Sequence, residues 1–314
     1  MRIFNYFLML LFFACLSCLE KVNNVDEKAT SEKFQKSELR QNTVISESHP
    51  IALWEKKVTN PKGIILFVHG RTWSSIPDFD LQVEGEDLSL MDGVNAQGYT
   101  AYAVDLRGYG GTPRDSSGWN SPQKAANDVE NILDWISTQN KGEKVHLFGW
   151  SMGSTISLLT AMQAQSKLKT LTVFGYWQDL DNKIAESDPA TPPERRANTA
   201  EAAASDFITA GSISQKAIDK FVETALKADP VRADWRYQHQ YNEIVPEKIE
   251  IPVLILQGEL DPIGPTAKQA KLFTRLKTTD KTWVVISGGD HAAFMETLRP
   301  QFIKSFVDFI ERFK

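Results

Sequence analysis

The sequence predicts an α/β fold with a mostly parallel central sheet, helices on both faces of the sheet, and a helical cap inserted between two strands. Three observations lead to this prediction. Short apolar runs recur along the chain, segments with helical spacing separate them, and the interval 176–246 contains no convincing strand. Strict alternation of strand and helix is typical of a parallel sheet that is covered by helices on both faces.

The predicted strands are short apolar runs, often β-branched, without the alternation of a half-exposed strand. The run 64–68, bounded by Gly63 and by His69, suits a strand buried on both faces. The predicted strands are residues 51–58, near a sheet edge, and then 64–68, 99–104, 145–148, 171–174, 253–256 and 283–286.

The predicted helices carry apolar residues at three- and four-residue spacing, which places those residues on one face. They are residues 86–97, 125–138, 154–165, 266–276 and 298–313. In the second of them, Val129, Ile132, Leu133 and Ile136 form a single stripe. Such a stripe indicates a helix that packs against the sheet.

The interval 176–246 interrupts the alternation and is predicted to form the cap. A structureless loop of this length is improbable inside a compact domain. We predict one helix near 194–209, a second that begins after Ser212 or Ser214, and a third that begins at Asp229-Pro230. Serine and aspartate are preferred N-cap residues, and proline is favoured in the first helical turn.

The N-terminus has the features of an export signal. Met1-Arg2 is followed by an unbroken apolar run, 6–16, which is too short to span a membrane but has the length of a signal-peptide core. Residues 20–40 are rich in Asn, Glu, Lys and Ser, as in a solvated tether. We expect a signal peptide over 1–18, a flexible tether over 19–40 and one α/β domain with its inserted helical cap over 41–314.

Both cysteines lie at the end of the apolar run, and Cys18 resembles the lipidated cysteine of a bacterial lipoprotein. The match is imperfect, because Cys15 stands where such sites usually carry leucine. We expect membrane attachment only through a lipid on Cys18; the alternative is an ordinary cleaved signal and a periplasmic or secreted protein. No disulfide or cysteine-based metal site is expected from residue 19 onward, because that part has no cysteine.

Composition excludes one class of partner. The chain has 35 basic and 40 acidic residues, a formal net charge of −5, and no basic stripe, so nucleic acid is not an expected partner. The sequence also contains no His or carboxylate cluster that indicates a metal site. The glycines of 108–111 lack the spacing and the following helix of a dinucleotide-binding loop. No metal and no cofactor are therefore expected.

Residues 149–153, Gly-Trp-Ser-Met-Gly, match G-x-S-x-G between a predicted strand and a predicted helix. This is the pattern of a nucleophile elbow, in which a sharp turn exposes the serine hydroxyl. Glycines at Gly149 and Gly153 suit such a turn, because larger side chains would not fit there. Ser151 is the predicted nucleophile.

Two further residues follow later strands at positions where a serine hydrolase needs an acid and a base. Asp261 follows the strand 253–256, and His291 follows the strand 283–286. The carboxyl ends of parallel strands lie at one edge of the sheet, so loops after different strands can converge there. A serine hydroxyl needs an imidazole to take its proton, and the imidazole needs a carboxylate to orient it.

Acyl transfer also requires donors for the oxyanion that attack on a carbonyl creates. The backbone N–H of Met152, at the start of the helix, is one candidate. The second is the backbone N–H of Arg71, in the turn after the strand 64–68.

Together these motifs resemble the α/β-hydrolase superfamily, in the group that carries a helical cap. The resemblance rests on His69-Gly70, the turn 105–110 (Asp-Leu-Arg-Gly-Tyr-Gly), the elbow 149–153, the segment 258–262 and His291. It covers the chain from about residue 50 to the C-terminus. It implies the α/β-hydrolase fold and a structural role for the turn 105–110.

Several residues keep two interpretations. Asp179 is the rival acid, and Asp290 is either a loop-stabilising carboxylate or solvated. His69 is expected to pack beneath the oxyanion turn. Arg71 and Arg107 either meet an anionic substrate group or form surface salt bridges. Aromatic residues either line an acyl pocket or pack in the core and cap; they are Trp73, Trp150 and Trp177 foremost, then Phe207, Trp235, Tyr237 and Tyr241.

The function predicted for the chain is cleavage of a small-molecule carboxylic ester through an acyl-enzyme, as in carboxylesterases and lipases. One alternative is an aminopeptidase resembling proline iminopeptidases, with acidic cap residues that hold the substrate amine. The candidate acids are Asp179, Asp181, Glu186 and Asp188. Thioester cleavage or perhydrolysis would use the same triad, and a non-catalytic binding scaffold is the remaining class. Haloalkane dehalogenases and epoxide hydrolases need an aspartate nucleophile, which Ser151 is not.

Overall fold

The computed structural model describes residues 36–187 and 193–313. The predicted signal peptide with Cys18, most of the predicted tether, and Asp188 lie outside the described residues. Within the part described, no helix is both long enough and apolar enough to cross a bilayer.

The predicted mostly parallel sheet is confirmed, and within the described residues it has eight strands in the order β1-β2-β4-β3-β5-β6-β7-β8. β1 pairs antiparallel with β2, β2 pairs antiparallel with β4, and the remaining neighbours are parallel. The strands are β1 Leu39–Ser46, β2 His49–Lys56, β3 Gly63–Val68, β4 Tyr99–Val104, β5 Val145–Trp150, β6 Leu168–Phe174, β7 Val253–Gly258 and β8 Lys281–Ile286.

The central strands are buried on both faces, which explains their unbroken apolar sequences. In β3, Ile64, Leu66 and Val68 belong to one buried cluster, whereas Ile65 and Phe67 belong to a second one. Successive side chains of a strand point to opposite faces, so the two clusters lie on opposite sides of the sheet.

Helices cover both faces, as predicted. They are α1 Ser75–Phe79, α2 Leu90–Ala96, α3 Pro122–Gln139, α4 Met152–Ala164, α5 Ala200–Ala204, α6 Gln215–Ala228, α7 Thr266–Arg275 and α8 Arg299–Ile310. The apolar faces of α3, α4 and α7 pack in the first cluster, and those of α1, α2 and α8 pack in the second. The predicted stripe of α3 is fully buried.

One strand was not predicted. β1 begins at Leu39, inside the segment predicted as tether, and it makes β2 the second strand from the edge. Its sequence is polar and half exposed, because an edge strand buries only part of its surface. Pairing with β2 along its whole length holds it in the sheet, and this pairing leaves no apolar pattern in the sequence.

The interval between β6 and β7 is less helical than expected. The helix that begins after Ser214 is confirmed as α6, and the Ser214 hydroxyl accepts a hydrogen bond from the N–H of Ala217. The helix predicted near 194–209 is only the short α5. The helix predicted at Asp229-Pro230 is wrong, because Asp229 ends α6 and its carboxylate instead accepts N–H bonds from Ser74 and Gly110.

Candidate active site

Ser151 lies in the sharp turn between β5 and α4, with φ 53° and ψ −119°. A positive φ in a residue other than glycine is unfavourable, and such strain is held in place by the surrounding structure. The N–H of Ser151 donates to the carbonyl of Phe174 at 2.8 Å, and its carbonyl accepts from the N–H of Ser154 at 3.0 Å. The turn therefore has the geometry of a nucleophile elbow.

Steric constraints require glycine at both flanking positions of the elbow. A Cβ at Gly149 would lie 2.2 Å from the carbonyl oxygen of Gly153, and a Cβ at Gly153 would lie 2.2 Å from that of Val68. Both distances are below any real Cβ contact. The prediction that larger side chains would not fit this turn is confirmed.

His291 and Asp261 are in direct contact, as the sequence predicts. Nδ1 of His291 lies 2.8 Å from Oδ2 of Asp261, and both side chains are buried. The other carboxylate oxygen accepts N–H bonds from Ile263 at 2.8 Å and Gly264 at 3.0 Å. Burial raises the pKa of Asp261, but the His291 contact and these N–H groups outweigh it and leave the pKa below its usual value. Asp261 is thus an ionised partner for the imidazole.

Three other groups fix the position of His291. The indole N–H of Trp150 donates to the His291 carbonyl at 2.7 Å, and Asp290 accepts from the N–H of Ala292 at 2.9 Å. Gly175 makes room for the ring: a Cβ there would lie 2.6 Å from Cε1 of His291. Gly175 also has φ +63°, so both the backbone conformation and the space beside His291 require glycine there. The sequence signal for Gly175 is its position directly after β6.

A cavity of about 180 Å³ opens beside the nucleophile. It is lined by Arg71, Ser151, Met152, Trp177, Trp235, Gln238 and Tyr241. Met152 is the first residue of α4, where a backbone N–H has no partner within the helix. The two residues predicted to supply oxyanion donors, Arg71 and Met152, therefore border the same cavity as Ser151.

The aromatic predictions are corrected in part. Trp177 lines the cavity as predicted, but Trp73 and Trp150 do not. Trp73 is buried and packs edge-on against Phe221 of α6. Trp150 is buried against Phe294 and the ring of His291, so it packs against the proposed base instead of lining the cavity. A tryptophan beside the nucleophile in sequence points to the opposite side of the turn.

His69 has the structural role that was expected. Its Nδ1 donates to the carbonyl of Gly70 at 2.8 Å, and its Nε2 accepts from the N–H of Leu106 at 3.1 Å. Burial lowers the pKa of His69 to about 4, so the ring is neutral at physiological pH. This neutral ring joins the turn that carries Arg71 to the turn 105–110.

The turn 105–110 is also structural. Buried Asp105 accepts hydrogen bonds from the N–H of Ser75 at 2.9 Å and the indole of Trp54 at 2.8 Å. Arg107 is held by two 2.7 Å bonds to Asp128, and it does not line the cavity. Of the two arginines considered for substrate contact, only Arg71 is in a position to make it.

Two of the four acidic residues suggested for the aminopeptidase alternative are paired with basic side chains. Asp179 pairs with Lys271 of α7 at 2.7 Å, and Asp181 pairs with Lys271 and Arg275. Glu186 is exposed, and Asp188 lies outside the described residues. Asp179 is not the partner of His291, since Asp261 occupies that place.

The structure places an unpredicted carboxylate near the base. Burial raises the pKa of Asp206 to about 7, although its electrostatic interaction with His291 acts to lower it. Asp206 follows α5, and no sequence motif marks it, because the fold alone brings this segment over the site.

Comparison with known proteins identifies a family that matches most of the chain. A family model described as "Serine aminopeptidase, S33" matches residues 59–298. A search of curated protein sequences found no match.

Similar solved structures include a monoacylglycerol lipase from Paleococcus ferrophilus, with 21% identity, a TM-score of 0.60, and coverage of 83% of this chain and 99% of that chain. A membrane phospholipase A, described as a bacterial virulence factor, has 18% identity and a TM-score of 0.62 over 97% of this chain and 94% of that chain. The thioesterase domain from the curacin biosynthetic pathway has 16% identity and a TM-score of 0.62, with coverage of 87% of this chain and 99% of that chain.

At these identities the structural neighbours show the fold, and the family model covers most of the chain. The protein therefore has the α/β-hydrolase fold and belongs to the serine aminopeptidase S33 family of α/β-hydrolases.

Proposed function

We propose that the protein is a serine hydrolase that cleaves a carboxylic ester by a Ser151–His291–Asp261 triad through an acyl-enzyme. One observation carries the proposal: a strained serine at a strand-to-helix turn borders a cavity, on a fold whose His291 is bonded to a buried carboxylate.

In the proposed reaction each group has its own role. Nδ1 of His291 donates to Asp261, which leaves Nε2 unprotonated and able to take the proton of the Ser151 hydroxyl. Attack on the ester carbonyl forms a tetrahedral oxyanion, which the backbone N–H groups of Arg71 and Met152 stabilise. The alcohol leaves with the proton from His291. Water then hydrolyses the acyl-enzyme by the same proton transfers in reverse.

The cavity walls support an ester with an apolar portion. Trp177, Trp235 and Tyr241 provide aromatic surface. Two of the solved neighbours, a monoacylglycerol lipase and a phospholipase A, bear names of ester-cleaving enzymes.

Aminopeptidase activity is the second candidate, because the matching family model bears that description. The site gives less support to it. An aminopeptidase must hold a substrate ammonium group, whereas Arg71 places a positive charge beside Ser151 and repels a second one. The nearby acids Asp179 and Asp181 are already paired.

Labelling with a fluorophosphonate probe tests the proposed nucleophile. Labelling of the purified protein that is absent in Ser151→Ala supports it, and no labelling of folded protein contradicts it. Parallel assays with 4-nitrophenyl esters and amino-acid 4-nitroanilides separate the two candidate activities. Turnover of the anilides with little turnover of esters would replace the esterase proposal by the aminopeptidase one.

We also propose that the protein is exported and anchored in the bacterial cell envelope through a lipid on Cys18. The support is the apolar run 6–16 and the position of Cys18 at its end.

A further inference from the structure

Arg71 borders the cavity that contains Ser151, and its charge has no ion-pair partner there. The residue is exposed, and its positive charge acts on Tyr241 in the cavity wall. Among the residues that the structure describes, no acidic side chain forms an ion pair with it. The contrast with Arg107 is clear, because Arg107 is paired with Asp128 and Asp115. An unpaired cation beside a reactive serine is available to a ligand.

A second guanidinium lies close to the first. Arg232 is half-buried, and its Nε is buried without a hydrogen-bond partner. Burial, and then the positive charge of Arg71, lower the pKa of Arg232. The acid that opposes this effect, Asp234, is itself paired with Arg114 at 2.7 Å. The positive charges of Arg71 and Arg232 are therefore close enough to act on each other beside the site.

The size of the cavity limits what enters it. Its volume of about 180 Å³ is below the roughly 300–1,000 Å³ typical of pockets for drug-sized ligands. Trp177, Trp235 and Tyr241 supply the apolar walls, and Gln238 adds a polar group. A short acyl or alcohol portion fits this space better than a long fatty chain.

We propose that the substrate cleaved at Ser151 is a short ester that carries a carboxylate, and that Arg71 binds this carboxylate. The guanidinium fork matches a carboxylate with two parallel N–H···O bonds, and Arg232 adds positive potential. The inference rests on the proposed ester hydrolysis. The reaction itself is unchanged: the Ser151 Oγ–acyl bond forms, the ester C–O bond breaks, and the alcohol takes the proton from His291. The substrate carboxylate is not altered.

Two pairs of synthetic esters test the inference. 4-Nitrophenyl hemiglutarate against 4-nitrophenyl pentanoate places the charge on the acyl side, and 4-carboxyphenyl butyrate against phenyl butyrate places it on the alcohol side. We expect kcat/KM to favour the anionic ester in at least one pair by about tenfold, the effect of one charge-assisted hydrogen bond. Raising the salt concentration from about 0.05 M to about 0.5 M should reduce this preference by screening.

Arg71→Gln is the informative variant, because it removes the charge and keeps the backbone N–H. The anionic-to-neutral ratio of kcat/KM should fall towards one in Arg71→Gln and be partly retained in Arg71→Lys. Arg40→Gln is the control: it removes an equal charge from an exposed position on β1 and should leave the ratio unchanged.

The results separate this inference from the function on which it rests. Hydrolysis of the neutral esters without an anionic preference, or a preference that survives in Arg71→Gln, overturns the inference alone. Failure to hydrolyse any of the four esters overturns the proposed esterase function and the inference with it.

Discussion

The N–H of Thr209, in the cap, donates a 2.7 Å hydrogen bond to Oδ2 of Asp290, the residue that precedes His291. Two further bonds lie beside it: the Ser212 hydroxyl donates to Glu296 at 2.6 Å, and the N–H of Thr297 donates to the Ser212 carbonyl at 2.9 Å. The segment 209–212 is therefore attached to the loop that carries the proposed base. These hydrogen bonds fix the cap segment and the loop of the proposed base relative to each other.

Glu296 makes this attachment dependent on pH. It is 2% exposed, and burial, opposed in part by the Ser212 hydrogen bond and strengthened by the charge of Asp290, raises its pKa to about 7. A raised carboxyl pKa means that the folded state binds the proton more tightly than the unfolded state. The resulting stability is present below pH 4.5 and is lost as the pH rises through about 7.

Glu296→Gln should therefore flatten the pH dependence of stability. The amide accepts from Ser212 and stays neutral, so the variant should match the wild type at pH 4.5 and exceed its free energy of unfolding at pH 8 by up to about 3 kcal/mol. Urea denaturation at the two pH values measures this, and Glu143→Gln, an exposed site, is the control. An equal pH dependence in Glu296→Gln and wild type would show that Glu296 does not carry the effect.

Gly175→Ala should inactivate the protein with little loss of fold. Its Cβ would lie 2.6 Å from Cε1 of His291, so the imidazole must move. A displacement of about 1 Å at a catalytic group costs about a hundredfold in kcat/KM. The measurement is ester hydrolysis beside thermal unfolding.

Gly142→Ala is the matched control for Gly175→Ala. Gly142 also has a positive φ, +84°, but a Cβ there meets nothing within 4 Å. It should lose about 1 kcal/mol of stability from backbone strain and keep its activity. If both variants lose activity equally, strain rather than the contact with His291 is responsible.

Asp261→Asn should lower kcat by about 10⁴-fold, because an amide stabilises the wrong tautomer of His291 and cannot balance its charge. Asp179→Asn is the comparison, since Asp179 pairs with Lys271 and should matter little for turnover. Single-turnover rates with an activated ester measure both. A larger loss in Asp179→Asn would mean that the acid is misassigned.

Lipidation of Cys18 predicts a modified N-terminal peptide. Mass spectrometry of protein extracted from membranes should show an N-terminal peptide that begins at Cys18 and carries a diacylglycerol group. A soluble protein that begins near residue 19 would contradict the lipid anchor.

The sequence by itself determined the buried strands and the order of the chemical groups along the chain. Burial on both faces requires unbroken apolar runs such as 64–68, so the sheet is visible in the sequence. The elbow is also visible, because only glycine fits at Gly149 and Gly153. Asp261 and His291 could be identified because parallel strands bring their following loops to one edge.

Tertiary structure alone decided which side chains line the cavity and which are packed against the residues of the site. Trp150 and Trp177 are both near the nucleophile, yet only Trp177 lines the cavity. The polar strand β1 and the cross-link from Asp229 depend on partners far away in sequence. Side-chain direction and long-range pairing have no local period, so no pattern of neighbouring residues records them. Tertiary contacts also determine that Arg107 is paired and that Arg71 has no ion-pair partner among the described residues.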